Sequence, residues 1–524
     1  MQNEWWTVPE ETLAVKHERT ATADETQRAL LDRPPFLTTL EAPMTSADDL
    51  LHRAEQRNVP LDGDLVRLAF EFAVSAHEGQ TRLTGEPYVT HPIATAEKLI
   101  DLGLDQTTIL AGLLHDIPED TAWSSDALRK EFGDDIAYLV DGVTKIARLR
   151  YRGVSRYQEN LRKMIIAMAR DVRVIFIKFA DRLHNLQTLG ALPPHKRKRI
   201  AIESLEIYAP IANRLGMGEL KGELEDAAFP FAYPKKYERL LARISEPLSE
   251  RTKYLEVVRS LVERELKNDG IPIVFLDGRA KHLYSLQRKL ENADDDLTRI
   301  HDLIALRIIV SNLNDCYAAL GTLHRLWTPL KGTIKDYIAQ PKPNGYQSLH
   351  TTLFCENGKI VEFQIRTLDM HQTAEFGIAA HWQYDEQKKR SVAVEQRLAW
   401  VNELLRRQQE IADGAQYLES LKLDVFRNQI FVFTPNGDVI QLPDEATPVD
   451  FAYAIHTDIG NRCAAARVND RMVSLSTPLK SGDVCEILTD KKRRHANRDW
   501  LDFVKTAAAR SRIKQSARKL HGGV

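Results

Sequence analysis

The chain has 524 residues, which at roughly 150 residues per domain suggests about three domains. Apolar residues make up 43% and charged residues 28%, an ordinary soluble composition. The formal net charge of −2 argues against a bulk nucleic-acid coat or a halophilic surface, while leaving local patches open.

Residues 1–44 carry Pro9, Pro34, Pro35 and Pro43 with little periodicity and read as a poorly ordered N-terminal extension. Met1 to Glu10 lacks the basic-then-apolar order of a signal peptide. From 45 to 200 the pattern is helical: Leu65, Leu68, Ala69, Phe72, Ala73 and Ala76 recur at helical spacing, and the run Thr107 to Leu114 continues into His115-Asp116. The most apolar run, Met164 to Ala180, is broken by Arg170, Asp171, Arg173 and Lys178, so no bilayer span and no membrane partner is expected. Residues 201–265, with Pro210 inside, read as a helical connector.

The texture changes over 266–390. Ile271 to Leu276 and Asp302 to Val310 read as strands. Thr351 to Phe354 and Ile360 to Arg366 flank Asn357-Gly358, a hairpin signal. Helical segments interleave, so this region is α+β or α/β. Residues 391–424 read as a polar helical linker. A short β-rich unit occupies 425–490, with a second hairpin about Pro435-Asn436-Gly437. In the tail 491–524, residues 491–519 hold eleven Lys or Arg against Asp499 and Asp502, a local charge of +9. Such a tail suits RNA phosphates or is simply a solvated end. The four cysteines, Cys316, Cys355, Cys463 and Cys485, form no C-x-x-C pair, which speaks against a zinc finger or disulfide framework and fits a reducing, cytoplasmic compartment.

Two places carry chemistry. The first is His115-Asp116-Ile117-Pro118-Glu119-Asp120, a polar cluster in an apolar helical stretch. A helix continuing through it puts Glu119 one turn from His115 and Asp120 one turn from Asp116. His91 precedes the cluster and Asp181 follows it, with Asn185 one turn on. Two His and two Asp suit Mn²⁺, Fe²⁺ or Zn²⁺ better than Ca²⁺; the bland alternative is a surface acidic helix. The second place opens with Gly278-Arg279-Ala280-Lys281-His282-Leu283-Tyr284-Ser285, followed by Asp302 and Arg307. A Gly/Pro-broken loop from Lys335 to His350 then brings lysines, aromatics and amides, a set suited to phosphates and a stacked base. In the strand after it, Glu362, Gln364 and Arg366 share one face and Val361, Phe363 and Ile365 the other. Alone, that strand reads as half-exposed with a solvated polar face.

The stretches Arg82 to Pro92, His115-Asp116-x-x-Glu119-Asp120-Thr121 and Asp181-Arg182-Leu183-His184-Asn185 resemble the hydrolase domain of the RelA/SpoT homologue family, a branch of the HD phosphohydrolases. Residues 278 to 382 resemble that family's alarmone synthetase domain. Val432 to Asp438 and Pro448 to Gly460 resemble its TGS domain. The resemblance implies an all-α HD hydrolase domain, an α+β nucleotidyltransferase-like synthetase domain and a small β-grasp TGS domain. It implies hydrolysis of the 3′-pyrophosphate of (p)ppGpp, with Mn²⁺ on His91, His115, Asp116 and Asp181. Glu119 and Asp120 would activate water, and Arg82 and Asn185 would hold the nucleotide. It also implies pyrophosphoryl transfer from ATP to the 3′-hydroxyl of GDP or GTP, with Mg²⁺ on Asp302 and Glu362 and Glu362 also activating that hydroxyl. Arg279 and Arg307 would embrace ATP, with Lys281 and Ser285 on its phosphates. Tyr346 would stack on guanine, and Lys335, Lys342, Asn344 and His350 would line the acceptor side. In TGS, His456 would contact deacylated tRNA on the ribosome.

Two departures from the family pattern stand out. Leu83 occupies a position where many members carry a basic or polar residue, and Thr333 replaces the arginine of the Arg-x-Lys-Asp pattern of bifunctional members. The rival readings are a mainly hydrolytic enzyme with a weak synthetase, and a ribosome- or tRNA-binding regulator with vestigial enzyme domains. Long members continue into further helical, zinc-finger or RRM-like, and ACT-type modules. Ending at Val524, the chain reads as the HD–synthetase–TGS portion without those distal modules.

Overall fold

The computed structural model describes residues 46–147, 163–297, 300, 304–342, 344–381, 401, 429–435, 439–480, 482–490, 493 and 495–521. The expected extension over 1–44 lies outside them, as does the expected linker over 391–424 apart from Val401. The chain divides into two units. Among its described residues, the first holds the helices α1 (Ala47–Gln56), α2 (Gly63–Ala76), α3 (Thr90–Asp101), α4 (Gln106–Leu114), α5 (Ile117–Asp120), α6 (Ser125–Phe132), α7 (Asp134–Ala147), α8 (Arg173–Gln187), α9 (Pro194–Glu203), α10 (Ala209–Arg214) and α11 (Gly218–Ala232).

α4 is the centre of this part. Asp105 caps it, accepting from Thr108 N at 2.9 Å, and every residue from Thr108 to Leu114 is buried. α3 passes so close that a Cβ on Gly112 would lie 2.3 Å from Leu99 Cδ1, so glycine is what lets the two helices meet. α8 packs against both; His91 lies on α3, Asp181 and Asn185 lie on α8, and His115-Asp116 directly follow α4. Before Pro210, which has no N–H to return to the preceding turn, the chain widens into a π-helix over Ser204–Tyr208.

A mixed sheet follows α12 (Pro234–Asn268). Its strands are β1 (Ile273–Ala280), β2 (Ile304–Val310), β3 (Thr328–Pro329), β4 (Lys335–Asp336), β5 (Leu349–Phe354) and β6 (Ile360–Thr367). The order is β1-β2-β6-β5-β3, with β4 also on β5; β2 and β6 are parallel and the other pairs antiparallel. The expected Asn357-Gly358 turn joins β5 to β6, both residues at positive φ of 59° and 71°. Alternation divides the faces. Leu306, Ile308, Phe363, Ile365, Leu349 and Leu353 lie in one core with residues of α12 and of α14 (Leu313–Leu326). α13 (Leu283–Asn292) follows β1 and α15 (Leu368–Phe376) follows β6.

Residues 201–265 are more than a connector. α11 packs on α8 and α9 and also on α13 and α15, while α12 packs on β1 and β2. Asp226 of α11 accepts from Tyr284 N at 3.0 Å and faces His282 Nδ1 at 2.8 Å, so it caps the entry to α13. A Cβ on Gly222 would stand 2.1 Å from His282 Nε2. The apolar stripe of these helices is shared by two neighbours, which a sequence pattern does not distinguish from one.

In the second unit β7 (Gln429–Phe433) and β8 (Val439–Pro443) form the expected hairpin; its turn at 436–438 lies outside the described residues. β9 (Cys463–Val468), β10 (Arg471–Val473) and β11 (Cys485–Thr489) form a sheet, order β10-β9-β11. A parallel bridge between Phe433 and Val484 connects it to the hairpin beside α16 (Pro448–Ile455) and α17 (Thr457–Arg462).

The described part of the basic tail is not a solvated end. Trp500, Val504 and Ile513 are buried with Val449, Ala452 and Tyr453 of α16, and α18 (Ala507–His521) packs there. The anchor is Asp450, fully buried. Its Oδ1 accepts from Lys505 N (3.0 Å), Thr506 N (2.7 Å) and Thr506 Oγ1 (2.8 Å), and its Oδ2 from Thr447 N at 2.9 Å. The sequence shows the charge of this segment, but its few apolar residues face a partner far upstream. Among the described residues no helix is long and apolar enough to cross a membrane, and all four cysteines are buried and free.

Asp450→Ala strands three backbone N–H donors, those of Thr447, Lys505 and Thr506, with hydrogen bonds to a charged group worth about 1.5–3 kcal/mol each. The expected outcome is faster tryptic cleavage at Lys505, Arg510, Arg512 and Lys514 than in the wild-type chain, read by limited trypsin digestion and mass spectrometry.

Candidate active sites

The first site gathers at the meeting of α3, α4 and α8. The helix does not continue through His115-Asp116: α4 ends at Leu114 and α5 starts at Ile117, with Pro118 in its first turn. The break turns His115 and Asp116 inward together. His115 Nδ1 lies 2.7 Å from Gly112 O, so that nitrogen donates and Nε2 is left toward Asp116 Oδ1 at 3.0 Å. His91 Nε2 lies 3.4 Å from Asp116 Oδ2 and 3.3 Å from Asp181 Oδ1. Ligand atoms of His91, His115 and Asp116 all fall within 4.8 Å of one another. The nitrogen and oxygen donors fit a divalent cation.

The surroundings are charged. Lys178 Nζ lies 2.6 Å from Asp181 Oδ2. Burial opposes ionisation of Asp181, but Lys178 and the two imidazoles hold its pKa well below the usual carboxylate range. Asp116 is held low in the same way, against burial, by His115 and His91. Burial disfavours a charged His115, yet Asp116 and Asp181 push its pKa up to about 9. Glu119 is half-buried, and burial raises its pKa. Asp120 is exposed; its Oδ2 accepts from Tyr88 OH at 2.6 Å, and the same hydroxyl reaches Asp116 Oδ2 at 3.1 Å. Arg82 donates to Asn185 Oδ1 at 3.1 Å, and the Asn185 amide donates in turn to Asp181. Leu83, at the tip of the Arg82 loop, is 75% exposed.

The sequence reading gave no role to Tyr88, Lys178 or His184. All three lie inside or beside the quoted motifs, but only tertiary contact reveals that Tyr88 bridges two carboxylates. His184 is buried, and burial, then His91 and Arg82, push its pKa down to about 3.

The second site lies on the polar face of the mixed sheet. Strand register places Asp277, Arg307, Gln364, His350 and Lys335 in one row across five strands. Glu362 sits on the same face, its Oε1 2.8 Å from His350 Nδ1, and His350 Nε2 lies 2.8 Å from Tyr346 OH. Burial lowers the pKa of His350, against the pull of Glu362. Lys342 Nζ stands 4.8 Å from the Tyr346 ring centre and 4.4 Å from that of Tyr337. Asn344 Nδ2 donates to Asn213 O at 3.3 Å.

This face is not simply solvated. Arg366 is fully buried, and its Nη2 donates to Glu375 Oε1 at 2.9 Å while Arg307 Nη1 approaches the same oxygen at 3.4 Å. Arg366 Nε and Nη1 have no hydrogen-bond partner. Ser285 is turned to α11, its Oγ donating to Glu225 at 3.1 Å, and Lys281 is half-buried at the end of β1. Arg279 is placed on β1 by its backbone; its side chain, and Asp302 altogether, lie outside the described residues. Thr333 Oγ1 donates to Leu330 O at 2.7 Å, closing a turn. In the second unit His456 is exposed and caps α17, its Nδ1 accepting from Asp458 N at 3.2 Å.

A buried histidine–aspartate cluster among helices is a candidate HD-type metal site, and the mixed sheet with a cation-bearing polar face is a second candidate site. Residues 69–218 match the HD domain, residues 278–389 the region found in RelA/SpoT proteins, and residues 430–489 the TGS domain. The chain is 47% identical to a GTP pyrophosphokinase of Streptomyces coelicolor, covering 86% of this chain and 55% of that protein. It is 46% identical to the bifunctional (p)ppGpp synthase/hydrolase SpoT of Escherichia coli K12, covering 87% and 65%. A guanosine-3′,5′-bis(diphosphate) 3′-pyrophosphohydrolase of Aquifex aeolicus is 46% identical, with 88% and 65% covered. The chain belongs to the RelA/SpoT homologue family. It spans 55% to 65% of the length of these curated relatives.

The raised pKa of His115 has a sign that can be checked. Its stabilising charge is fully present below the unfolded value of 6.5 and is lost as pH rises through about 9. For the chain in EDTA, melting temperature should therefore fall between these values, and His115→Gln should flatten that decline.

Proposed function

We propose that the chain is a bifunctional guanosine alarmone enzyme. The helical site hydrolyses the 3′-pyrophosphate of (p)ppGpp to GDP or GTP and pyrophosphate. The sheet site transfers the β,γ-pyrophosphoryl group of ATP to the 3′-hydroxyl of GDP or GTP. The observation that carries the reading is the convergence of His91, His115 and Asp116 within 4.8 Å of one another, with Asp181 Oδ1 3.3 Å from His91 Nε2.

In the hydrolase, His91, His115, Asp116 and Asp181 would hold Mn²⁺, which when bound supplies Lewis acidity to the pyrophosphate and lowers the pKa of a water. Glu119, its pKa already raised by burial, and Asp120 are the proton acceptors for that water. Arg82 and Asn185 hold the nucleotide, and the hydrogen bond from Asn185 to Asp181 ties that grip to a metal ligand. In the synthetase, Asp302 and Glu362 would hold Mg²⁺, whose charge offsets that of the transferring group. Glu362, oriented by His350, takes the proton of the 3′-hydroxyl. Tyr346, anchored by its hydroxyl to His350, offers its ring to guanine. Arg279, Arg307, Lys281 and Ser285 serve ATP, and Lys335, Lys342, Asn344 and His350 the acceptor. The substrates place the enzyme in the cytoplasm. Through TGS and His456 it would meet deacylated tRNA on the ribosome.

A second reading, mainly hydrolase with weak synthesis, is favoured by Thr333, which stands where the pattern of bifunctional members often has an arginine and whose hydroxyl is spent on Leu330 O. Purified chain given ATP, GDP and Mg²⁺ decides between them: pyrophosphorylated guanosine is expected, and its absence leaves only the hydrolase. Asp116→Ala should abolish Mn²⁺-dependent release of pyrophosphate from ppGpp and leave synthesis intact; unchanged hydrolysis would overturn the metal assignment. Tyr346→Ala should weaken use of GDP as acceptor by about 1–3 kcal/mol, the scale of base–aromatic stacking, and spare hydrolysis. Both activities measured in one preparation check the separation of the sites.

A further inference from the structure

An imidazole offered to a metal has a second nitrogen, and the proton on that nitrogen leaves the first with its lone pair. At His115 the matter is settled locally. Its Nδ1 lies 2.7 Å from Gly112 O, which only accepts, so Nδ1 carries the proton. His91 has no carbonyl in that role. Its Nδ1 lies 2.8 Å from Nδ1 of His184, on α8, and between two imidazole nitrogens the proton can sit on either. Arg82 removes the ambiguity. Its Nη1 lies 3.3 Å from the same His184 Nδ1, and a guanidinium nitrogen only donates. His184 Nδ1 therefore keeps its lone pair, and the shared proton belongs to His91 Nδ1. His91 Nε2, which faces Asp116 and Asp181, is left to bind.

We propose that His184 is a positioning residue for the metal centre: keyed by Arg82, it holds His91 in the Nδ1-protonated tautomer and thereby presents His91 Nε2 to a divalent cation. The proposal rests on the metal-centre reading given above. It gives the Arg82 loop two tasks, since Arg82 also donates to Asn185 Oδ1 on the same helix and to Thr188 Oγ1 at its C-terminal cap. The segment expected to grip the nucleotide thus also sets the protonation of a metal ligand. His184 is 8% exposed, its ring centre 5.0 Å from that of His91, so the contact is fixed by packing.

The test is Mn²⁺ affinity, read by electron paramagnetic resonance on the full chain without substrate. Loss of such an outer partner typically costs about 10- to 100-fold in metal affinity, and His184→Ala should weaken binding by that amount. His184→Asn restores an acceptor near the place of Nδ1 and should recover most of the affinity. Wild-type affinity in His184→Ala would overturn the proposal, as would a His184→Asn chain as weak as His184→Ala. Circular dichroism in EDTA establishes that the variants fold. Independently of any variant's stability, long-range ¹⁵N–¹H spectra of metal-free, histidine-labelled wild-type chain should show His91 protonated at Nδ1, assigned by its loss in His91→Gln; protonation at Nε2 alone would overturn the proposal. A wild-type chain that binds no Mn²⁺ would remove the metal reading itself, and is recognised because the spectra still report the tautomer.

Discussion

A charge taken out of water must face an opposite charge or a matched donor, and both sites are built around that demand. Asp116 and Asp181 are tolerated side by side because His91, His115 and Lys178 surround them. Arg307 and Arg366 are tolerated on a sheet face because Glu375 lies between them. On the sheet the pairing is incomplete: two nitrogens of Arg366 are buried without hydrogen-bond partners.

The same demand dictates close backbone approach. Charges oppose one another only if the elements carrying them touch, and glycine permits that contact. Gly112 lets α4 lie on α3, which brings His115 to His91. Gly377, at a positive φ of 60°, lets the end of α15 meet the turn after α10, where Ile378 N donates to Leu215 O at 3.0 Å. A Cβ there would stand 2.4 Å from the Leu215 oxygen. The helical region and the sheet are therefore joined through main-chain contact as well as through α11. The two sites share a support while using different side chains.

In the second unit one carboxylate does similar work. Asp450 collects donors from the start of its own helix and from Lys505 and Thr506. The basic charge of the segment does not reveal that one of its faces is buried. What holds its inner face is the match between Trp500, Val504 and Ile513 and the apolar side of α16.

Local chemistry was legible in the sequence. Periodicity marked the helices and strands, Asn357-Gly358 marked its turn, and the spacing of His91, His115, Asp116 and Asp181 marked a metal-type donor set. Alternation over Val361 to Arg366 separated an apolar from a polar face, because a strand's side chains have a period of two wherever it lies. Other features depend on which element comes to lie against which, a property of long-range packing that no window of sequence contains. The break between α4 and α5 is one, since Pro118 permits it but inward-facing partners make it worthwhile. The burial of Arg366 against Glu375, the sharing of α11 by two neighbours and the docking of the basic tail are others. So is the Arg82–His184–His91 chain. Its members are each visible in the sequence, but a tautomer is decided by hydrogen bonds between groups that meet only after the chain has folded.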